Sequence, residues 1–364
     1  MQTFRRLWVL PLIVAGFVWK AQAAPRQILA WDSVHRELER LHAEHPDRTR
    51  LFQIGESALG KPLLALKVAS NPDDRSQPAI LLSGGQHGNE AATPLHVLDA
   101  ARMLLDEPET LSGLAFVLVP MVNPDGNEGF LLGRRGGGRK NGRRVSANQT
   151  AIGVDLNRNY PFGWGTKKTR FTSAAPNSRF FQGPAAASEP EVRAIMELAE
   201  RERFVASISY HSAATKIIVP YSTPGATDAQ PSLPWDVAEA MLARLPHRFG
   251  QKRYRATRGL YPVTGNEKDW LYHRFGTMAY VVELPYRRPQ GERLAESIEH
   301  SRGTWRALVE RFVSGPSLSI RAQSADGAPL EAQIEIIDGA ATRMIHETLS
   351  NTGWYHGYVP SGPL

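Results

Sequence analysis

Four short apolar runs, far apart in the chain and separated by helical patterns, limit its possible folds more than any other feature. Pro78–Gly84 reads PAILLSG, Leu114–Met121 LAFVLVPM, Phe204–Tyr210 FVASISY and Met278–Leu284 MAYVVEL. Each has strand length and is nearly continuous in apolar residues, the pattern of strands buried on both faces. Ala91–Leu105, Ser188–Arg203, Trp235–Leu245 and Glu292–Phe312 carry helical patterns. Ser188 and Glu191 stand at capping-box spacing where the second of these begins. Strands alternating with helices predict an α/β domain: a mixed, largely parallel central sheet with helices on both faces. In such sheets ligands sit beyond the carboxyl ends of the strands.

With 364 residues there is room for one large domain and a small appendage. Residues 1–23 read as a signal peptide: Arg5 and Arg6, an apolar run from Leu7 to Trp19, then Ala21-Gln22-Ala23 as the cleavage pattern. The run is short of the roughly 20 residues a spanning helix needs, and no other stretch would span a membrane. Export to the periplasm or the medium is expected. Cleavage lowers the formal charge from +7 to +4, so charge offers little support for nucleic-acid binding. The basic cluster Arg134, Arg135, Arg139, Lys140, Arg143 and Arg144 has no interleaved aromatics on which bases would stack. It reads as a solvated loop with one or two substrate-facing arginines.

Residues 24–313 are expected to form the α/β domain. The stretch from Arg26 to Leu51 reads as a helical lead-in, so no large activation segment is expected. Gly133–Gly153 and Trp164–Pro184 are long loops, and loops of that length are usually functional or mobile. After Ser314-Gly315-Pro316 the texture becomes all-β, with strands expected at Leu318–Gln323, Glu331–Asp338 and Gly353–Val359. Residues 317–364 are thus expected to be a small sandwich-like module. It stops at Leu364 one strand short, as a truncated sequence would.

There is no cysteine, which removes disulfides, thiol nucleophiles and thiolate metal sites. Any metal must be held by His, Asp or Glu. The first apolar run ends in Gly84-Gly85-Gln86-His87-Gly88-Asn89-Glu90. His87 and Glu90, three apart, can face one point if the turn is helical. Alone this spacing also describes a surface histidine before a first-turn glutamate, but the glycines allow backbone to pack closely around a site. His211 ends another strand, within Ser209-Tyr210-His211-Ser212; the bland reading is a core histidine bonded internally. Two histidines, one carboxylate and an open position make the composition of a catalytic zinc site. Glu283 lies within Val281-Val282-Glu283-Leu284. There a carboxylate is costly unless partnered, functional or at the strand's exposed end, and burial beside a metal would poise it for proton transfer.

Together with N-P-D-G (Asn123–Gly126), G-V-D-L-N-R-N-Y (Gly153–Tyr160), F-Q-G-P (Phe181–Pro184) with S-E-P-E, and Tyr261…Asp269-Trp270…Glu283, these motifs resemble the zinc metallocarboxypeptidases of the pancreatic A/B type. In texture the chain is nearest the secreted bacterial carboxypeptidase T group. The resemblance implies the metallocarboxypeptidase fold, one Zn2+ per chain and hydrolysis of C-terminal peptide bonds. It implies His87, Glu90 and His211 as zinc ligands and Glu283 as general base. It implies Asn157 and Arg158 as the grip on the terminal carboxylate and Tyr261, 22 residues before Glu283, as a mobile cap. Arg139 resembles the arginine that polarises the scissile carbonyl, with Arg143 or another loop arginine as the alternative. Asp155 resembles a residue that orients a ligand histidine. Lys268 stands where the family sets preference for the C-terminal side chain; a cation there favours an acidic terminus, unless Lys268 reaches solvent or Glu267 neutralises it. The final module resembles a transthyretin-like sandwich with a structural or docking role.

The chemistry agrees: an Arg fork with an amide recognises a carboxylate bidentately and fixes an enzyme on chain ends. The expected partners are peptide or protein C-termini. A second hydrolase reading is an amidase or carboxypeptidase of peptidoglycan stem peptides, and a reading of another class is a non-catalytic binding protein on this scaffold. Product analysis separates the first two; zinc content with chelator-sensitive activity decides the third.

Overall fold

The computed structural model describes residues 27–134, 138–144, 153–167, 169–227, 232–246, 253–338, 342–347 and 351–360. The expected signal peptide (residues 1–23), Arg135 and the last residues of the terminal module lie outside them. The described helices are α1 (Trp31–Glu44), α2 (Thr93–Asp106), α3 (Pro124–Leu131), α4 (Pro190–Glu202), α5 (Leu233–Ala243), α6 (Glu267–Phe275) and α7 (Glu292–Ser314). The strands are β1 (Thr49–Glu56), β2 (Pro62–Val68), β3 (Ala79–Ser83), β4 (Ala115–Val119), β5 (Ala206–Ser212), β6 (Lys216–Ile218), β7 (Arg255–Thr257) and β8 (Met278–Leu284), followed by β9 (Ser317–Arg321), β10 (Gln333–Asp338), β11 (Thr342–Glu347) and β12 (Trp354–Tyr358). Among the described residues no helix is long and apolar enough to cross a membrane.

The four apolar runs become β3, β4, β5 and β8, the centre of an eight-stranded sheet ordered β1-β2-β4-β3-β5-β8-β6-β7. The β4-β3-β5-β8 block is parallel, as expected. Antiparallel pairing appears at its flanks, where β2 joins β4 and β6 joins β8. The β1–β2 hairpin and the three-residue β6 and β7 were not anticipated. β1 is half-exposed and β6 and β7 are very short, so they lack the continuous apolar run that marks a central strand; β2 (PLLALKV) is mostly buried and does carry such a run from Pro62 to Leu66.

Strand periodicity sorts the core. Ile80 and Leu82, Phe116 and Leu118, Ile208 and Tyr210, Tyr280 and Val282 pack into one apolar layer with α1, α2, α5 and α7. Leu81, Ala115, Val117 and Ala279 face the other layer, with α4 and α6. That parity decides the chemistry. Counting by twos along β5 and β8 puts His211 and Glu283 on this second face, and the parallel register pairs them across the two strands.

The expected capping box does not form. The N-cap of α4 is Glu189, without a side-chain cap bond, and Ser188 Oγ donates to Glu189 instead. Glu191 is drawn away by longer-range partners, accepting from Ala58 N–H at 2.9 Å and Asn141 Nδ2 at 3.0 Å. Burial pushes its carboxyl up to about 7 against those hydrogen bonds. A carboxyl raised on folding stabilises the fold below its unfolded value near 4.5, and that stabilisation is lost as pH rises to about 7. Integrated over that window the loss is about 3 kcal/mol. Glu191→Gln should therefore gain stability relative to wild type between pH 5 and pH 8, read by urea unfolding. A difference independent of pH would show that Glu191 does not titrate there.

Beyond α7, β9 pairs with β12 and β10 with β11, each pair antiparallel and separate. β12 is anchored on α7: the Tyr358 ring meets Phe312 edge-on at 5.2 Å and its hydroxyl donates to Leu308 O at 2.8 Å.

Candidate metal centre

The strand-end loop after β3 is shaped by its glycines. Gly85 takes φ +64, and a Cβ on Gly88 would lie 2.1 Å from the Gly126 and Asn127 backbone. Only glycine lets the start of α3 press this close. Asn123 locks the contact: it accepts from Gly126 N–H at 2.8 Å and donates to Gln86 O at 3.2 Å. The N-P-D-G turn is thus a clasp under the metal-site loop. Its Asp125 accepts from Ser57 Oγ, Leu59 N–H and Lys61 Nζ at 2.9–3.0 Å.

The clasp and β5 bring His87, Glu90 and His211 together, although His211 is 124 residues from His87. One donor atom from each lies within 4.8 Å of the others, and all three residues are buried. His87 Nδ1 stands 2.9 Å from Glu90 Oε1, His211 Nδ1 3.0 Å from Glu90 Oε2, and the two Nδ1 atoms 3.1 Å apart.

Proton accounting shows what this focus accepts. Nε2 of His87 faces Asp155 Oδ1 at 3.1 Å, so it carries the hydrogen. Nε2 of His211 faces Gln86 Oε1 at 3.1 Å. The Gln86 amide is oriented by its own donation to Glu267 Oε2 at 2.6 Å, so that oxygen is an acceptor and His211 Nε2 also carries its hydrogen. In the neutral rings, both Nδ1 lone pairs then point with a carboxylate at one place. Three converging lone pairs fit a cation, and the donor set of two imidazoles and one carboxylate fits zinc. Burial opposes it, yet without a metal the charge of His87 and His211 in their protonated forms, with their hydrogen bonds, holds the Glu90 carboxyl well below the usual carboxylate range.

Asp155 joins two functions. Oδ1 takes the His87 hydrogen, while Oδ2 accepts Arg139 Nε at 3.0 Å and Nη2 at 2.7 Å. Burial would raise the Asp155 carboxyl, but Arg139 and Arg158 keep it well below its ordinary value. The fork leaves Arg139 Nη1 aimed at the site, 3.3 Å from His87 Nδ1 and 3.9 Å from Glu90 Oε1. Arg143 is not at this site: it pairs with Glu189 at 2.8 Å on the α4 side. Lys140 is likewise tied down, donating to Pro176 O and Ser178 O.

Glu283 faces the focus from β8. Burial first, then the Glu90 charge, push its carboxyl up to about 7, against His211 and Arg139. A cavity of about 210 Å3 opens here, lined by Glu283, Arg139, Asn157, Arg158, Tyr261 and Lys268 along with the three donors. Arg158 is held by Phe171 O and Asn157 O, both at 2.6 Å, and Asn157 Oδ1 accepts from Glu267 N–H at 3.0 Å. Tyr261 is half-buried and stacks on Phe171, centroids 3.8 Å apart.

Lys268 neither reaches solvent nor meets Glu267. It is buried in the cavity wall and pairs with Asp269. Asp269 is already shared among Ser222 N–H, Thr223 N–H and Oγ1, and Asn266 Nδ2, so its charge is spread over many donors. Burial lowers the Lys268 ammonium against the pull of Asp269.

Three residues were missed. Gln86 and Glu267 orient His211 from behind, and Phe180 collects three guanidiniums over its ring, from Arg139 (5.4 Å), Arg158 (5.7 Å) and Arg179 (5.0 Å). Gln86 stands beside His87 in the motif, so its signal was present; Phe180 had none beyond its place in a long loop.

Comparison with known proteins agrees with this geometry. The zinc carboxypeptidase family matches residues 34–305. The chain is 29% identical over 272 residues to zinc carboxypeptidase A 1 of Anopheles gambiae, covering 72% of this chain and 60% of that protein. It is 28% identical over 268 residues to carboxypeptidase A1 of Bos taurus, covering 70% and 61%. The match thus spans about three fifths of these relatives' length. In fold, it matches carboxypeptidase A of Helicoverpa armigera with a TM-score of 0.67 at 24% identity, covering 77% of this chain and 72% of that one. Bovine thrombin-activatable fibrinolysis inhibitor matches with a TM-score of 0.69 at 23% identity, covering 79% and 98%. A family match over most of the chain, on the fold and donor set described above, means that the chain belongs to the zinc carboxypeptidase family.

Proposed function

We propose that this protein is an exported zinc-dependent carboxypeptidase that releases residues from the C-termini of peptides or proteins. The observation that carries the reading is the convergence of three buried donors beside an acid and a cavity whose far wall is cationic. His87, Glu90 and His211 would hold the zinc. Zinc bound there supplies a Lewis acid that polarises a carbonyl and makes water more acidic. Glu283 takes the proton of the attacking water and delivers it to the leaving amine nitrogen; its burial and raised carboxyl suit both transfers. Arg139 Nη1, the arm left over from the Asp155 fork, donates to the carbonyl oxygen as charge develops. Arg158 and the Asn157 amide grip the terminal carboxylate, which confines cleavage to chain ends. Tyr261 closes over the terminal residue from its stack on Phe171. Asp155 fixes both His87 and Arg139. Export rests on the N-terminal signal pattern, and the module after α7, anchored through Tyr358, has a structural or docking role.

The test is metal analysis with a C-terminal peptide library. One zinc per chain and sequential release of terminal residues, abolished by chelation, is the expected result. Internal cleavage, or stem-peptide amidase products with ordinary peptides untouched, refutes the reading.

Lys268 directs the preference towards an acidic terminal residue, because Asp269 is already divided among other donors. Among blocked dipeptides ending in Glu, Lys and Phe, the Glu substrate should have the highest kcat/KM. Lys268→Ala should remove about tenfold of that preference. Faster release of Lys or Phe by the wild type contradicts it.

A further inference from the structure

Cations crowd the catalytic cavity: Arg139, Arg158, Arg179, Lys268 and Arg287 all line it. The carboxylates in its lining are Glu90 and Glu283, which the chemistry already uses. Arg139 has Asp155 behind it and Lys268 has Asp269. Among the described residues no ion pair forms to Arg158 or Arg179. Arg158 is 3% exposed, yet it donates to the neutral carbonyl oxygens of Phe171 and Asn157. Burial lowers its guanidinium, Asp155 draws it back up, and Arg139 lowers it again.

What stands against these guanidiniums is a ring. The Phe180 centroid lies 5.4 Å from the Arg139 guanidinium, 5.7 Å from that of Arg158 and 5.0 Å from that of Arg179. An aromatic face is negative and attracts a cation within about 6 Å of its centre. The ring is fixed in place from several sides. Phe180 N–H donates to Ser178 Oγ at 3.1 Å, and its carbonyl accepts from Ser173 N–H at 3.0 Å. Lys140, next to Arg139 in the chain, donates to Pro176 O at 2.9 Å and Ser178 O at 3.1 Å, which ties this loop to the segment carrying Arg139. Phe171 meets the ring edge-on at 5.5 Å.

The choice of a neutral partner has a chemical reason. A carboxylate at this place would take up guanidinium N–H groups and compete with the substrate's own carboxylate. A ring face attracts the charge and occupies no N–H. On the carboxypeptidase reading, on which this inference rests, we propose that Phe180 is a positioning residue: its ring holds Arg139 and Arg158 at the site and leaves their remaining N–H groups free for the carbonyl oxygen and the terminal carboxylate.

The test changes the electrons of the ring and not its size. Phenylalanine carrying one, two or three fluorines is introduced at position 180 alone, which withdraws charge from the ring face in steps. For a blocked dipeptide, kcat/KM should fall with each fluorine, to about tenfold below wild type with three, the scale of losing a partly desolvated cation–π contact. The loss should divide between a higher KM, through Arg158, and a lower kcat, through Arg139, with zinc content and melting temperature unchanged. Phe180→Leu keeps apolar bulk without a π face and should match the trifluorinated protein, while Phe180→Trp should stay within about threefold of wild type. A constant kcat/KM across the fluorine series overturns the role of the ring and leaves the carboxypeptidase reading standing. Full activity in Phe180→Leu does the same. So does a loss that tracks falling zinc content or melting temperature, which would make Phe180 a packing residue. If the zinc-loaded wild type releases no terminal residue from the dipeptide, the carboxypeptidase reading fails and the positioning role with it.

Discussion

Replacing Glu283 with Gln should lower kcat by about 10³–10⁴-fold while the protein keeps its zinc. Gln preserves the size of the side chain and its place on β8, opposite His211 in register. It cannot accept the water proton or return it to the leaving amine. The site's other contributions survive, because Arg139 stays forked on Asp155 and Arg158 stays held by Phe171 O. KM for a blocked dipeptide should therefore change little. The check is metal analysis beside steady-state kinetics on one preparation. Wild-type turnover would place the base elsewhere, and loss of zinc would make Glu283 a ligand.

The second large effect is expected at Asp155. The sequence resemblance marks Asp155 only as a support for a ligand histidine; in the fold it is fully buried and holds both His87 and Arg139, the proposed catalytic cation. Asp155→Ala should weaken zinc binding about 10–100-fold, as loss of a supporting carboxylate does. It should also leave Arg139 buried without its carboxylate, destabilising the fold by about 3–5 kcal/mol. Asp155→Asn keeps an acceptor for His87 Nε2 but loses the charged fork, so its zinc affinity should fall less than its kcat. Competition with a chromophoric chelator and unfolding of the zinc-loaded protein measure the two effects. An Ala variant with wild-type zinc affinity would mean that His87 needs no such support.

The four central strands and their helices were readable because burial on both faces writes itself as continuous apolar sequence. The flanking strands were not read: β1 carries mixed burial and β6 and β7 span three residues each, while β2 carried an apolar run from Pro62 to Leu66 that went unused. The capping box at Ser188 and Glu191 shows the limit of local rules. A side chain follows its local preference only until a stronger distant partner arrives, here Ala58 and Asn141. Lys268 repeats the lesson: sequence placed Glu267 and Asp269 equally close to it. Helix α6 turned Glu267 towards Gln86 and Tyr160 and left Asp269 to pair with the lysine.

Sequence alone determined the donor types and where they stand: histidines and a glutamate at strand ends, a glutamate within an apolar strand, and no thiol to compete for a metal. These are properties of residue identity and of a two-residue repeat, which act over a few positions. Only the tertiary structure decided which nitrogen of each imidazole is free, which arginine reaches the site and which carboxylate holds it there. Those choices depend on segments 16 to 181 residues apart meeting within hydrogen-bond distance. Such meetings are set by packing of the whole core, and no local pattern records them.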